Sequence, residues 1–230
     1  MAIYLRLYPL YTRLVSIIRT DRGLFKLLYG HSAPDAEWGQ YWDWTTVLLL
    51  SAFKRHLTAG ADFLDLGCGP YAVIARHVYQ RYLCHSVTAA DHAAELLDYA
   101  RANDPQTAIR YLQSDLFANI NGSFDLIAFN APYIDIERGT ARGLFPDALS
   151  RKRFCGGKDG VETIQRFLNE SPVHLKINGK ALLGVNHFHI SEAAVYSALW
   201  KSPWISTDIL RSSFSKSSVY VLQRRAGASM

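Results

Sequence analysis

The chain has 230 residues, 49% of them apolar, which is enough for one sizeable domain with a small addition and too few for two full domains. The net charge of +5 is mildly basic, but Lys and Arg form no run of five, so a nucleic-acid partner is not expected. The three cysteines, Cys68, Cys84 and Cys155, lack CxxC spacing, which favours a reduced, cytoplasmic setting without structural zinc.

Residues 1–58 are predicted to form an N-terminal helical cap. Residues 1–30 carry apolar side chains at helical spacing, and arginines interrupt each apolar run before it could span a membrane. We therefore expect an amphipathic helix pair that restarts at Pro9. The following connector holds four large aromatic residues, which either attach the cap to the domain or line a bound cation: Trp38, Tyr41, Trp42 and Trp44. A buried helix is expected over 47–57.

Residues 61–71 read as a buried strand, a glycine turn and the start of a helix. Gly67 and Gly69 allow a sharp turn that approaches a ligand closely, which predicts a nucleotide-binding site. These glycines suit a dinucleotide such as NAD(P) or S-adenosyl-L-methionine (SAM) equally well. Asp65, two residues before Gly67, would repel a diphosphate and suits a cationic ligand, so the pattern favours SAM.

After this turn, strands and helices alternate, which predicts an α/β doubly wound parallel sheet. The expected strands are 85–90, 109–112, 124–129 and 179–185, with helices over 93–102, 161–168 and 190–199. A hairpin of strands 205–210 and 218–222 is expected to close a domain covering 59–224, with a tail over 225–230. Asp91 ends the second strand, where a carboxylate can accept both ribose hydroxyls of an adenosine.

The tetrapeptide Asn130-Ala131-Pro132-Tyr133 follows the fourth strand. An amide side chain and an adjacent carbonyl can accept hydrogen bonds from an NH₂ group and aim its lone pair, while the tyrosine ring packs against the nucleophile. Pro132 restricts the loop, because its ring fixes φ and biases the preceding residue to an extended shape. The sequence therefore predicts a site that positions a nitrogen nucleophile.

These motifs, with Ser114-Asp115-Leu116-Phe117 and Gly156-Gly157-Lys158-Asp159-Gly160, resemble the class I SAM-dependent methyltransferases, in particular the HemK/PrmC-type glutamine N5-methyltransferases and their N6-adenine relatives. The resemblance implies a Rossmann-like sheet and SAM as cofactor. It implies that Asp65 faces the amino-acid end of SAM, that Asp115 binds the adenine amino group and that Leu116 packs on the ring. Asn130 and Tyr133 would position the methylated nitrogen. The family usually has Asn-Pro-Pro-Tyr, so Ala131 is a departure.

The remaining segments carry weaker signals. Residues 134–160 form a long, arginine-rich loop beside the expected site, where functional loops are common. His187 and His189 follow the fifth strand, and with no third ligand evident we predict pocket lining rather than a metal site.

Three functions fit the sequence. The first is SAM-dependent N-methylation of a small molecule in specialised metabolism. The second is cyclisation of SAM itself, in which Asn130 and Tyr133 aim the cofactor's own amino group at its γ-carbon and release methylthioadenosine and azetidine-2-carboxylate, as in azetidine-2-carboxylate synthases of this fold. The third is an NAD(P) oxidoreductase. Methylation of adenine in nucleic acid is not expected, because no basic groove is evident.

Overall fold

The computed structural model describes Leu14 and residues 16–29, 32–35, 39–213 and 215–225, which contain a seven-stranded sheet. Its strands are β1 (Asp62–Leu66), β2 (Ser86–Asp91), β3 (Arg110–Gln113), β4 (Phe124–Asn130), β5 (Leu175–Asn186), β6 (Trp204–Arg211) and β7 (Ser217–Arg224). They lie in the order β3-β2-β1-β4-β5-β7-β6. The first five strands are parallel, and β7 is antiparallel to both of its neighbours. The predicted doubly wound sheet and closing hairpin are confirmed.

The helices connect and flank these strands. They are α1 (Arg22–Tyr29), α2 (Trp44–His56), α3 (Val73–Arg81), α4 (Ala94–Ala102), α5 (Ile136–Ala141), α6 (Ala148–Phe154), α7 (Glu162–Glu170) and α8 (Glu192–Trp200), with a 3₁₀ turn over Ser171–His174. The two short helices α5 and α6 lie in the segment predicted as a loop. Asp135 and Asp147 begin them as N-caps, because their carboxylates accept the N–H groups of Arg138 at 2.8 Å and Ser150 at 2.6 Å.

The central strands are buried on both faces. Four consecutive residues of β1, Phe63 to Leu66, are buried, and successive side chains of a strand point to opposite faces. One face of β5 packs so closely on α2 that a Cβ added to Gly184 would lie 2.6 Å from the Thr45 methyl group. The buried sheet is therefore a rigid support, and groups that could meet a ligand are expected in the loops at its carboxyl edge.

The chain divides into two compact units, residues 1–43 and 44–230. Helix α2 thus belongs to the second unit, whereas the predicted boundary at residue 58 assigned it to the cap. In the first unit the Phe25 ring lies 4.8 Å from that of Tyr29 and 4.9 Å from that of Tyr41. The helix predicted before Pro9, Trp38 and the end of the predicted tail lie outside the described residues. No helix in the described part of the chain is long and apolar enough to cross a membrane.

Candidate active site

The candidate site lies where the strand order reverses. Strands β1 and β4 are neighbours at the centre of the sheet, and Leu66 pairs with Phe129. The turn that leaves β1 and the loop that leaves β4 therefore begin at the same edge. In open parallel sheets, the crevice at the carboxyl ends beside such a reversal is the usual ligand site. Gly67 and Asn130, two of the predicted site residues, flank this crevice.

The glycine turn has the geometry that the sequence predicts. Gly67 and Gly69 adopt φ values of 68° and 64°, in the left-handed region that side chains disfavour. A Cβ on Gly67 would lie 3.3 Å from the Phe129 ring, whereas the Cβ direction of Gly69 has no atom of the described residues within 4 Å. The turn therefore opens onto free space at Gly69, which suits close approach of a cofactor.

Asp65 is buried beneath the turn. Its side chain is 1% exposed and its Oδ2 accepts the N–H of Ala75 at 2.9 Å, within the first turn of α3. Burial raises the pKa of Asp65 to about 8, with a further rise from Asp91, although the Ala75 N–H lowers it. The carboxyl group therefore holds its proton up to neutral pH in the protein alone. Its predicted contact with the amino-acid end of SAM stays a prediction.

Asp91 ends β2 and fixes the glycine turn from the other side. Its Oδ2 accepts the N–H of Gly69 at 2.9 Å and its Oδ1 accepts the N–H of Ala93 at 3.1 Å. The Nδ1 of His92 lies 3.2 Å from Oδ1, and this hydrogen bond raises the pKa of His92. A carboxylate oxygen has two lone pairs, so Oδ2 can still accept one ribose hydroxyl, whereas Oδ1 already has two donors and could accept a hydroxyl only in place of His92. The position fits the predicted ribose contact.

The predicted adenine residues have unlike environments. Asp115 is exposed, and Nη1 of Arg166 on α7 lies 3.1 and 3.3 Å from its two carboxylate oxygens. Leu116 is buried with φ of 47°, rare for a leucine, and the Ser114 hydroxyl donates to its carbonyl at 2.7 Å. Sequence reasoning missed Arg166, because no spacing rule links it to Asp115. A bound adenine amino group would share Asp115 with this guanidinium.

The acceptor loop is anchored to β5. The N–H of Ala131 donates to the Gly184 carbonyl at 3.2 Å, and Ala131 is buried. A proline has no N–H, so the usual Asn-Pro-Pro-Tyr tetrapeptide could not form this bond. Here a hydrogen bond restrains the residue that stands in place of the first proline of the family's tetrapeptide. Asn130, the last residue of β4, and Tyr133 are both half-buried at the crevice.

The glycine-rich segment 156–160 supports that loop from behind. A Cβ added to Gly156 would lie 2.7 Å from the Pro132 carbonyl oxygen and 2.8 Å from Tyr133 Cα. One added to Gly160 would lie 2.6 Å from the Tyr133 carbonyl oxygen. Real Cβ atoms do not approach backbone this closely, so only glycine allows the two segments to touch. The sequence motif Gly-Gly-Lys-Asp-Gly thus shapes the acceptor loop.

The two histidines after β5 differ. The His189 ring stacks on Tyr133 with 5.9 Å between centroids and 27° between planes. Burial lowers the pKa of His189, and Arg142 lowers it further, so the ring is neutral at pH 7. His187 instead joins β5 to β7, because its Nε2 lies 3.1 Å from the Ser218 hydroxyl. Among the described residues, no group of three or more His, Cys, Asp or Glu side chains could hold a metal.

Cations from the last turn of α6 border the crevice. Burial lowers the pKa of Arg153, and the neighbouring Tyr71 and Asp91 oppose that change, which puts the guanidinium beside the proposed ribose carboxylate. Lys152 is close enough to lower the pKa of His92. The arginine-rich segment therefore lies against the crevice.

Residues 39–149 match the family model of the methyltransferase small domain, which covers the glycine turn and the Asn130–Tyr133 tetrapeptide. The chain therefore has the fold and the family domain of the class I SAM-dependent methyltransferases. SAM rather than NAD(P) is therefore its cofactor, and the oxidoreductase alternative is wrong. A crystal structure of a methyltransferase from Pyrococcus furiosus shares the fold, with a TM-score of 0.68 at 20% identity over 92% of this methyltransferase and 96% of that chain.

The names of two curated relatives of this methyltransferase state macromolecular substrates. The ribosomal protein uL3 glutamine methyltransferase of Bradyrhizobium diazoefficiens is 30% identical over 77% of this chain and 53% of its own length. The ribosomal RNA small subunit methyltransferase C of Haemophilus ducreyi is 32% identical over 47% of this chain and 34% of its own. The chain thus spans about half or less of the length of these relatives.

The predictions of a small-molecule substrate and of no nucleic-acid partner are wrong by this comparison. The relatives' names point to protein or ribosomal RNA as substrate. The error has a physical source, because the tetrapeptide selects a nitrogen and not the molecule that carries it. A sequence without a basic run can likewise fold so that separate cations lie around one crevice.

Proposed function

We propose that this methyltransferase transfers a methyl group from SAM to an amide or amino nitrogen of a macromolecule. One observation carries the proposal: the Asn130–Tyr133 loop and the glycine turn leave adjacent strands at the point where the sheet order reverses. A nitrogen held by the loop and a methyl donor held by the turn would then meet in one crevice. The names of the protein and RNA methyltransferases above support the macromolecular substrate.

We assign the cofactor contacts to the residues that line the turn side of the crevice. Gly69 leaves room for the amino-acid end of SAM. Asp91 accepts one ribose hydroxyl on Oδ2 and the other on Oδ1, where it replaces His92. Asp115 and Leu116 contact the adenine, and Asp65 faces the amino-acid end from below. The open Cβ direction of Gly69 and the remaining lone pair of Asp91 Oδ2 support this fit.

Asn130 and Tyr133 do the positioning on the acceptor side. The Asn130 side-chain oxygen and the Ala131 carbonyl accept hydrogen bonds from the two N–H groups of the substrate nitrogen. These bonds direct the nitrogen lone pair towards the methyl carbon of SAM. The Tyr133 ring packs against the same group and excludes water. SAM supplies an electrophilic methyl carbon on a sulfonium. The new N–C bond forms as the C–S bond breaks, and the nitrogen then releases its proton to water.

Two alanine substitutions separate these roles. Asn130→Ala should lower kcat by about a hundredfold with SAM affinity unchanged, because it removes a positioning group and no cofactor contact. Asp91→Ala should weaken SAM binding, because it removes the ribose acceptor. Asn169→Ala, at an exposed asparagine on α7, is the matched control. Calorimetric titration with SAM and transfer of labelled methyl measure the two effects. Equal loss of SAM binding in Asn130→Ala and Asp91→Ala would contradict the assignment.

A further inference from the structure

A cavity of about 700 Å³ opens beside the acceptor loop. It is lined by residues of α6, of the segments on either side of it and of the first turn of α7: Phe145, Asp147, Ala148, Arg151, Lys152, Cys155, Gly157 and Thr163. None of these residues was assigned a role by the proposed function. Its size exceeds that of a single side chain and suits a group as large as a nucleotide.

The cavity is tied to the acceptor loop through the backbone. The N–H of Ile136 donates to the Gly157 carbonyl at 3.0 Å, and Ile134 pairs with Cys155 in a parallel bridge. Gly157 and Cys155 line the cavity, while Ile134 directly follows Tyr133. A group in the cavity would therefore lie next to the nitrogen held by Asn130 and Tyr133.

The charge around the cavity favours an anionic group. Arg151 and Lys152 are exposed and line it in the last turn of α6, and Arg142 lies near His189 on the acceptor side. Asp147 is the carboxylate among the lining residues, and the N–H of Ser150 already occupies it as a helix cap. Two cations and one engaged carboxylate give the wall a net positive charge, in keeping with the +5 of the whole chain.

Phe145 gives the same cavity an aromatic wall. A Cβ added to Gly139 would lie 2.2 Å from the Phe145 ring, so the ring rests directly on the glycine of α5. Single-stranded nucleic-acid sites combine an aromatic ring with cations, because a base stacks on the ring while the phosphate backbone pairs with the cations.

We infer that the substrate is RNA, and that this cavity holds a nucleotide that flanks the methylated base. The inference rests on the proposed function and names its substrate class. The target segment is single-stranded, because only an unstacked base can lie on Phe145 and only an extruded one can reach Asn130.

Binding of a fluorescein-labelled single-stranded RNA, about 16 nucleotides long, tests this by anisotropy across a salt series. Arg151→Gln with Lys152→Gln removes two phosphate contacts. The factor by which RNA affinity drops between 50 and 200 mM salt should therefore be about sevenfold smaller than in the wild type. Phe145→Leu keeps an apolar contact with Gly139 and should weaken binding about tenfold. Lys54→Gln with Lys201→Gln, at exposed positions, removes the same charge and should match the wild type.

Methyl transfer separates failure of this inference from failure of the proposed function. SAM binding by each variant, measured in parallel, shows that the cofactor site is intact. If the Arg151 and Lys152 double variant binds RNA as tightly as the Lys54 and Lys201 control does, with the same salt dependence, the cavity is not an RNA site. If ribosomal protein is methylated and RNA is not, the inference fails while the proposed function stands. If neither accepts methyl, the proposed function itself fails.

Discussion

Asp65 should make the stability of this methyltransferase depend on pH in an unusual direction. Its carboxyl group is 1% exposed and burial raises its pKa from 3.8 to about 8. Between these values the folded protein keeps a proton that the unfolded chain releases. Rising pH therefore stabilises the unfolded state relative to the folded state, and the free energy of unfolding falls through this window. Asp65→Asn keeps an oxygen for the Ala75 N–H and cannot ionise, so it removes the effect.

The magnitude follows from linkage. One proton of difference changes the free energy of unfolding by about 1.36 kcal/mol per pH unit. From pH 5 to pH 7 the wild type should therefore lose about 2.7 kcal/mol of stability relative to Asp65→Asn, and this difference is the gap to be measured. Urea unfolding at both pH values measures the gap. Asp98→Asn, at an exposed carboxyl group on α4, controls for loss of a charge. A gap that stays constant would show that Asp65 is ionised in the folded protein and refute the reasoning.

Two predictions concern the support of the acceptor loop. Gly156→Ala should lower kcat by at least about a hundredfold and leave SAM affinity unchanged, because the new Cβ can be accommodated only by moving the backbone at Tyr133; wild-type kcat would contradict this. His189→Ala should lower kcat by removing the ring stacked on Tyr133, and His189→Phe should restore it. The pKa of His189 is lowered in the folded protein, so the unfolded chain binds the proton more readily. The free energy of unfolding of the wild type should therefore decrease as the pH drops below 6.5, and His189→Phe should remove this decrease.

The sequence predicted those parts of the site that lie at strand ends. A buried run followed by Gly67 and Gly69, and a carboxylate closing the next strand at Asp91, are local patterns, and parallel strands bring their carboxyl ends to one edge. The tetrapeptide at Asn130 was read in the same way. Each of these inferences needed only the order of elements along the chain.

The contacts between distant segments could not be predicted in this way. His189 meets Tyr133 only because β4 and β5 are neighbours, and Arg166 reaches Asp115 only because α7 returns to the third strand's loop. The helices α5 and α6 escaped prediction because each is under eight residues long and depends on a capping aspartate rather than on an apolar stripe. Gly156 had a visible signal in its motif, but its function becomes evident only from the backbone it touches.

This methyltransferase is expected to transfer a methyl group to a nitrogen of a macromolecule. The most direct measurement incubates the purified protein and methyl-labelled SAM with ribosomal RNA, with ribosomal protein and alone, and identifies the products by mass spectrometry. We expect label in the macromolecule together with S-adenosylhomocysteine, and intact SAM in its absence. Methylthioadenosine from SAM alone, above the non-enzymatic background, would contradict the claim and establish cyclisation to azetidine-2-carboxylate instead.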